Sequence, residues 1–148
     1  MMQSRRIACP SCHALNEAVV RLHERPRCRG CGRLLFAGQP VELGVDNVDA
    51  HLLRSELPLL AKFWAPWCGP CQLMAPHLVR AASMLEPRVR LAEINVQVEP
   101  TLGQRYGVRA IPTMILFDRG QELARLSGAL SAEAIVQWTQ EVLARHEA

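Results

Sequence analysis

The chain has 148 residues, 49% of them hydrophobic and 21% charged, an ordinary balance for a globular protein of one domain plus something small. No run approaches the ~18 apolar residues of a membrane span, and no apolar segment follows Arg5-Arg6 as a secretory signal would require, so a cytoplasmic address is expected. The formal charge of +3 is unevenly divided: seven arginines against Glu17 and Glu24 give residues 1–36 a charge of +5, which leaves −2 for residues 37–148 and marks a boundary near Phe36.

All six cysteines fall in three Cys-x-x-Cys pairs, a pattern that fits catalysis and metal binding better than secreted disulfides. In residues 1–36, Cys9-Pro10-Ser11-Cys12 and Cys28-Arg29-Gly30-Cys31 are separated by fifteen residues, the spacing of two knuckles that complete a tetrahedral thiolate site. Cys9, Cys12, Cys28 and Cys31 are therefore candidate ligands of one structural Zn²⁺. So short a segment has too few apolar residues for a core and would depend on the metal to fold. Gly30 and Gly32 supply the backbone freedom a knuckle needs. His13 or His23 is an alternative ligand, but four suitably spaced thiolates already fill a structural site. Arginines 21, 25, 27, 29 and 33 raise the question of a nucleic-acid ribbon. Four thiolates and one Zn²⁺ would lower the local charge to about +3, and no aromatic side chains interleave for base stacking, so a solvated basic face is expected.

Ala37-Gly38-Gln39-Pro40 reads as a linker, giving a metal-binding module over residues 1–36 and a second domain over residues 37–148. Val41 to Val45 is a short strand, and Asp46 or Asn47 is expected to cap a helix running to about Arg54 with Val48, His51 and Leu52 on one side. A buried strand follows near Leu59 to Trp64. Met74, Leu78, Ala81, Ala82 and Leu85 then recur at helical spacing over a stretch from about Pro70 to Leu85, where Pro76 is expected to introduce a kink. His77 is expected at the rim of this helix. Arg88 to Asn95 alternates as a strand, Pro100 to Tyr106 reads as a short irregular helix, and Thr113 to Phe117 is a further strand. Asp118-Arg119-Gly120 turns the chain into an antiparallel partner over Glu122 to Leu126. Ser131 caps a last helix whose apolar face is Ile135, Trp138, Thr139, Val142 and Leu143.

The third cysteine pair, in Trp67-Cys68-Gly69-Pro70-Cys71, lies where the buried strand gives way to the long helix. A Cys-x-x-Cys pair can be half of a zinc site, but the position after a buried strand and before a helix is the context of a redox pair. Unsatisfied N–H groups and the positive end of the dipole favour a thiolate on Cys68, the expected nucleophile. Gly69 permits close approach of the backbone, Pro70 suits the first helical turn and stiffens the ring, and Cys71, one turn in and more buried, is the resolving thiol.

Phe63-Trp64-Ala65-Pro66-Trp67-Cys68-Gly69-Pro70-Cys71 resembles the active-site signature of the thioredoxin family, and the likeness runs from about Val41 to the C-terminus. The resemblance implies an α/β fold with a central mixed β-sheet flanked by helices. Tyr106 to Thr113 resembles the family segment with a cis-proline, here Pro112, facing the dithiol, and Ser127 to Leu130 resembles its glycine loop. Trp67, Gly69, Pro70, Ile111, Pro112 and Gly128 would then form the surface that receives a substrate polypeptide. The added four-cysteine module is similar to the thioredoxin 2 type. The implied activity is protein-disulfide reduction by thiol–disulfide exchange with no organic cofactor, on disulfide-containing client proteins, with a flavin-dependent thioredoxin reductase restoring the dithiol of a monomer. Two rivals stand beside it: a zinc-ribbon adaptor that only docks peptides, and a thiol oxidase or isomerase.

One position departs from the family. Where thioredoxins carry a buried aspartate before Phe63, this chain has Lys62, its single lysine, and the place matching the family's neighbouring-strand lysine holds Glu93. The charges of the pair are exchanged. Two routes by which Lys62 assists the resolving step stand open beside the plain reading of a lysine snorkelling to the sheet edge. Protonated, it stabilises the Cys71 thiolate; desolvated and neutral, it acts as the base itself. The first is favoured, because Glu93 should hold the proton on the lysine.

Overall fold

The computed structural model describes residues 4–21 and 24–147; His23 lies outside them. In chain order the strands are β1 Ser4–Ala8, β2 Leu15–Val19, β3 Val41–Leu43, β4 Leu59–Trp64, β5 Arg90–Asn95, β6 Thr113–Asp118 and β7 Gln121–Ser127. The helices are α1 Gly69–Leu85, α2 Pro100–Arg105 and α3 Ala132–Glu147, with a π-helical turn at Ala50–Arg54. The five strands of the larger sheet stand in the order β3-β5-β4-β6-β7, with β3, β5 and β4 parallel and β6 and β7 antiparallel. This is the mixed sheet flanked by helices that the resemblance implied.

Strand periodicity distributes the core over two faces of that sheet. Leu60, Leu91, Met114 and Leu116 point to one side, where Met74, Leu78, Ala81, Ala82 and Leu85 of α1 and Ile135, Val136 and Val142 of α3 cover them. Leu59, Ala61, Phe63, Ile94, Ile115 and Phe117 point to the other, packing with Val48, Leu52 and Leu102. Burial on both faces explains why β4 reads as one apolar run. Lys62 shares the parity of Leu60 and so points beneath α1. In β5, the residues at 90–92, 94 and 95 are buried and Glu93 is half-buried. The alternation expected there is lost because both faces are covered.

Two expectations about local structure are corrected. The helix expected to run to about Arg54 is present over 48–54, but its last five residues, Ala50–Arg54, form a π turn closed by Ser55 N–H donating to Ala50 O at 2.9 Å. Asn47 caps nothing forward, because its Oδ1 accepts from Gly44 N–H at 2.8 Å and folds the chain into a turn that also ends β3 at Leu43. The N-terminal segment, expected as two knuckles alone, also holds an antiparallel pair, β1 with β2, in register from Ser4↔Val19 to Ala8↔Leu15. Its buried apolar cluster is small, comprising Cys9, Cys28 and Leu35.

The N-terminal sheet is fastened to the larger one. Glu56 N–H donates to Arg6 O at 2.7 Å, and Glu56 Oε1 accepts from Arg6 N–H at 2.7 Å. Arg90 at the start of β5, only 2% exposed, donates from Nη2 to Ala8 O at 3.0 Å, pairs through Nη1 with Glu86 Oε2 at 3.2 Å, and lies 4.8 Å over the Phe36 ring. Glu86 Oε1 in turn accepts from Gly38 N–H in the linker.

Candidate functional site

The dithiol site is built by the end of β4 and the start of α1. Cys68 occupies the N-cap of α1 in extended backbone, and Pro70 stands in the first turn, where no hydrogen-bond donor is needed. Cys68 and Cys71 are joined as a disulfide with their Cα atoms 5.3 Å apart. Cys68 Sγ accepts from Cys71 N–H at 3.2 Å, a bond that would favour a thiolate on Cys68 once the disulfide opens. Cys68 is 5% exposed and Cys71 1%, whereas Trp67 beside them is 73% exposed. Gly69 and Pro70 are also exposed, so this corner offers backbone and an indole to a partner while recessing the sulfurs.

Register brings the remaining residues to the same corner. Phe63 pairs with Thr113 across β4 and β6, so the next positions outward are Trp64 and Pro112. The Ile111–Pro112 peptide is cis. Gly128, at φ +107° in a region that glycine alone enters readily, donates its N–H to Pro112 O at 2.9 Å and sets the loop after β7 beside the proline. Thr113 Oγ1 bonds both Ala110 O at 2.6 Å and Ser127 Oγ at 2.8 Å, closing the loop from below. Ile111 is half-buried at the rim.

Lys62 lies directly under the site. Its side chain is 1% exposed, Nζ is 3.6 Å from Glu93 Oε1, and Nζ donates to Cys71 O at 3.4 Å. The register of β4 on β5 places Lys62 opposite Glu93. Burial pushes the lysine below its ordinary pKa, and the Glu93 carboxylate opposes that shift.

At the N-terminus the four sulfurs of Cys9, Cys12, Cys28 and Cys31 lie within 4.8 Å of one another. Cys9 and Cys31 are 3.7 Å apart and Cys12 and Cys28 3.6 Å. A tetrahedron with Zn–S bonds of ~2.3 Å has edges of ~3.8 Å, so the arrangement fits zinc. Backbone N–H groups of Ser11 and Gly30 point at Cys9 Sγ and Cys28 Sγ, each at 3.3 Å. The Cys31 backbone N–H and the Asn16 amide hold the Cys28 thiol down at about 6, while its neighbour Cys12 is pushed up to about 11. Without a cation the two do not both ionise readily, so a bound metal would be what holds both as thiolates. His13 is not part of this cluster: its Nδ1 meets His51 Nε2 at 2.9 Å.

Sequence reasoning missed several supporting residues. Asn16 donates to Cys28 Sγ at 3.4 Å and accepts from Arg29 N–H at 2.8 Å, thereby gripping the second knuckle. An Asn in a polar segment carries no signal for that. His51, 1% exposed between the sheets, is pushed down to about 3 by burial, with Arg90 and His13 adding to the effect. His77 is no idle rim residue, since its Nδ1 accepts from Ala132 N–H at 3.1 Å at the start of α3.

The thioredoxin family model matches residues 39–141. Among similar proteins, "Thioredoxin C-3" of Corynebacterium nephridii is 37% identical over 142 residues, which span 95% of this chain and 97% of that protein, so the likeness extends into the four-cysteine segment. "Thioredoxin 1" of a Nostoc species is 35% identical over 63% of this chain and 87% of its own length. "Thioredoxin M-type, chloroplastic" of Chlamydomonas reinhardtii is 34% identical over 69% of this chain and 75% of its own. Sheet order, the helix-capping cysteine pair and these matches agree: the chain belongs to the thioredoxin family of thiol–disulfide oxidoreductases, and its four clustered cysteines fit the zinc-binding thioredoxin 2 type.

Proposed function

We propose that the protein is a protein-disulfide reductase that keeps protein thiols reduced in the cytoplasm. The observation that carries this reading is the Cys68–Cys71 disulfide at the first turn of α1, with Cys68 as N-cap and the exposed Trp67 next to it. In the reduced protein, Cys68 thiolate attacks one sulfur of a client disulfide. The client's other sulfur leaves as a thiolate, and a mixed disulfide joins Cys68 to the client. Cys71, deprotonated, then attacks Cys68 Sγ, releases the second client thiolate and closes the Cys68–Cys71 bond. Two electrons pass to the client, and a flavin-dependent thioredoxin reductase returns them. Trp67, Gly69, Pro70, Ile111, Pro112 and Gly128 receive the client chain as an extended segment, and the protein acts as a monomer.

Residues 1–36 form a module whose Cys9, Cys12, Cys28 and Cys31 hold one structural Zn²⁺, and residues 37–148 form the catalytic domain. Bound there, the ion supplies folding free energy to a segment with little core of its own. The test is reduction of insulin by thioredoxin reductase and NADPH through this protein, with Cys68→Ser as control, alongside metal analysis of protein purified under reducing conditions. Turnover that survives Cys68→Ser would remove Cys68 as the nucleophile, and intact docking of oxidised clients with no turnover in the wild type would replace the reductase by the peptide-docking adaptor. A midpoint potential far above the ~−270 mV of a typical thioredoxin would instead favour an oxidase or isomerase. Finding no bound metal would remove the zinc assignment alone.

A further inference from the structure

The one lysine of the chain sits in a place that strongly disfavours an uncompensated charge. It is inside the central strand, nearly fully buried, and faces the first turn of the helix that carries the dithiol. The charged group that faces it is Glu93 from β5, and from α1 the backbone carbonyl of Cys71, one of the two dithiol residues, lies against Nζ. Its neighbour on β6 is Met114, and the Trp64 ring on its own strand lies 5.8 Å from Nζ. Glu93 at 3.6 Å and the Cys71 carbonyl at 3.4 Å both stabilise an ammonium rather than a neutral amine. Of the two cations buried among the described residues, Arg90 spreads its guanidinium over Ala8, Glu86 and Phe36, whereas the one beneath the helix turn is the compact point charge, which can sit under a backbone carbonyl where a planar guanidinium would need several partners.

Building on the reductase reading above, we infer that Lys62, held as an ammonium by Glu93, biases the Cys68–Cys71 couple toward its dithiol form and so sets the midpoint potential of the protein. The disulfide is neutral. On reduction the couple takes up two electrons and, near neutral pH, fewer than two protons, because one sulfur stays a thiolate. A cation fixed beneath the helix turn therefore interacts favourably with the reduced state and scarcely with the oxidised one. Glu93 has two opposed effects: it keeps the lysine charged, and its own negative charge partly cancels that of the lysine at the sulfurs. Lys62 is on this account a positioning residue for charge, acting on an equilibrium that a purely structural role would leave alone.

The prediction is a sign pattern in the equilibrium with reduced and oxidised glutathione, read by alkylation of the free thiols at pH 7. Lys62→Met, which removes the cation, should shift the couple toward the disulfide by ~10-fold, equivalent to ~30 mV. Adding Glu93→Gln to Lys62→Met, which removes the carboxylate left without its partner, should return only part of that shift. The Cys68 thiolate, followed by its ultraviolet absorbance, should titrate higher in Lys62→Met than in the wild type, with the double variant in between. The differences should vanish at pH values where both thiols are protonated in every variant. A glutathione equilibrium of Lys62→Met within twofold of the wild type, or shifted toward the dithiol, would overturn the inference. Should Lys62→Met fail to fold, the double variant, which leaves no carboxylate unpaired, decides the sign by the same criterion. A dithiol that does not equilibrate with glutathione at all would sink the reductase reading too, whereas one that equilibrates without these shifts would remove only the role of Lys62.

Discussion

The chain uses the Cys-x-x-Cys pattern three times, in two regions that turn it to different chemistry. At Cys68–Cys71 the pair opens a seventeen-residue helix packed on a five-stranded sheet, and its two sulfurs are bonded to each other. In the N-terminal region the pairs at Cys9 and Cys28 stand in tight turns beside a two-stranded sheet, and each pair faces the other. Sulfur contacts there, Cys9 with Cys31 at 3.7 Å and Cys12 with Cys28 at 3.6 Å, run between knuckles. The motif itself supplies only proximity. A long helix with a packed core adds a dipole and a recessed partner, which make a redox couple, whereas crossed turns with inward N–H groups make a tetrahedral cage.

The largest effect should come from breaking the two sites separately. Cys68→Ser should lower insulin reduction by at least ~10³-fold while leaving zinc content at the wild-type level, and Cys28→Ser should do the reverse, losing the metal but keeping most of the exchange activity. Loss of both properties in either variant would mean that the two regions work as one site.

Next comes the bolt between the regions. Arg90→Met removes the guanidinium that joins Ala8, Glu86 and Phe36 and leaves the Glu86 carboxylate buried without its partner. A loss of ~3 kcal/mol in urea unfolding is expected, with partial recovery when Glu86→Gln is added. If Arg90→Met alone were neutral, the two regions would be adjacent without being energetically linked.

A smaller effect should be read by pH. His51 has an ordinary pKa of 6.5 when unfolded and about 3 when folded, so the unfolded state binds more protons below pH 6.5. Stability contributed by neutral His51 is complete above pH 6.5 and declines as pH falls from there toward about 3. The decline should amount to ~2 kcal/mol between pH 6.5 and 5, and His51→Phe should flatten it at constant metal content. An equally steep slope in His51→Phe would assign the pH dependence to other groups.

The smallest is the Asn16 amide, whose bonds to Cys28 Sγ and Arg29 N–H tie the second knuckle to β2. Asn16→Ala should weaken zinc affinity ~10-fold in a chelator competition and leave exchange at the dithiol unchanged. An unchanged affinity would show that the backbone N–H groups suffice to orient the thiolates.

Much of the larger region was legible because its signals are local. The period of α1 from Met74 to Leu85, the apolar run of β4, the Asp118-Arg119-Gly120 turn and the Ser131 cap each depend on residues within a few positions of one another. The N-terminal region was legible only at its cysteines. Strand β1 carries Arg5 and Arg6 on a mostly exposed surface, so no alternation announced it, and it is defined by pairing with β2 and by docking onto Glu56. The helix ending at Arg54 was legible but its cap was not, because Asn47 spends its side chain backward on Gly44, a choice its identity as a capping residue does not reveal.

By itself the sequence determined which cysteines stand at a helix start and which at paired turns, the order of the elements from β3 onward, and the place of Lys62 inside the β4 run. These follow from spacing, from backbone propensity and from an ionisable residue inside an apolar run, while the exchange of charges with Glu93 followed from the family resemblance. Only the tertiary structure decided that Arg90, 82 positions from Ala8, is the cation between the two regions, that His13 turns to His51 rather than to the thiolates, and that Lys62 sits beneath the Cys71 carbonyl. Such contacts have no periodicity, because they arise where separately folded surfaces meet and a buried polar group must find whatever partner lies across the gap.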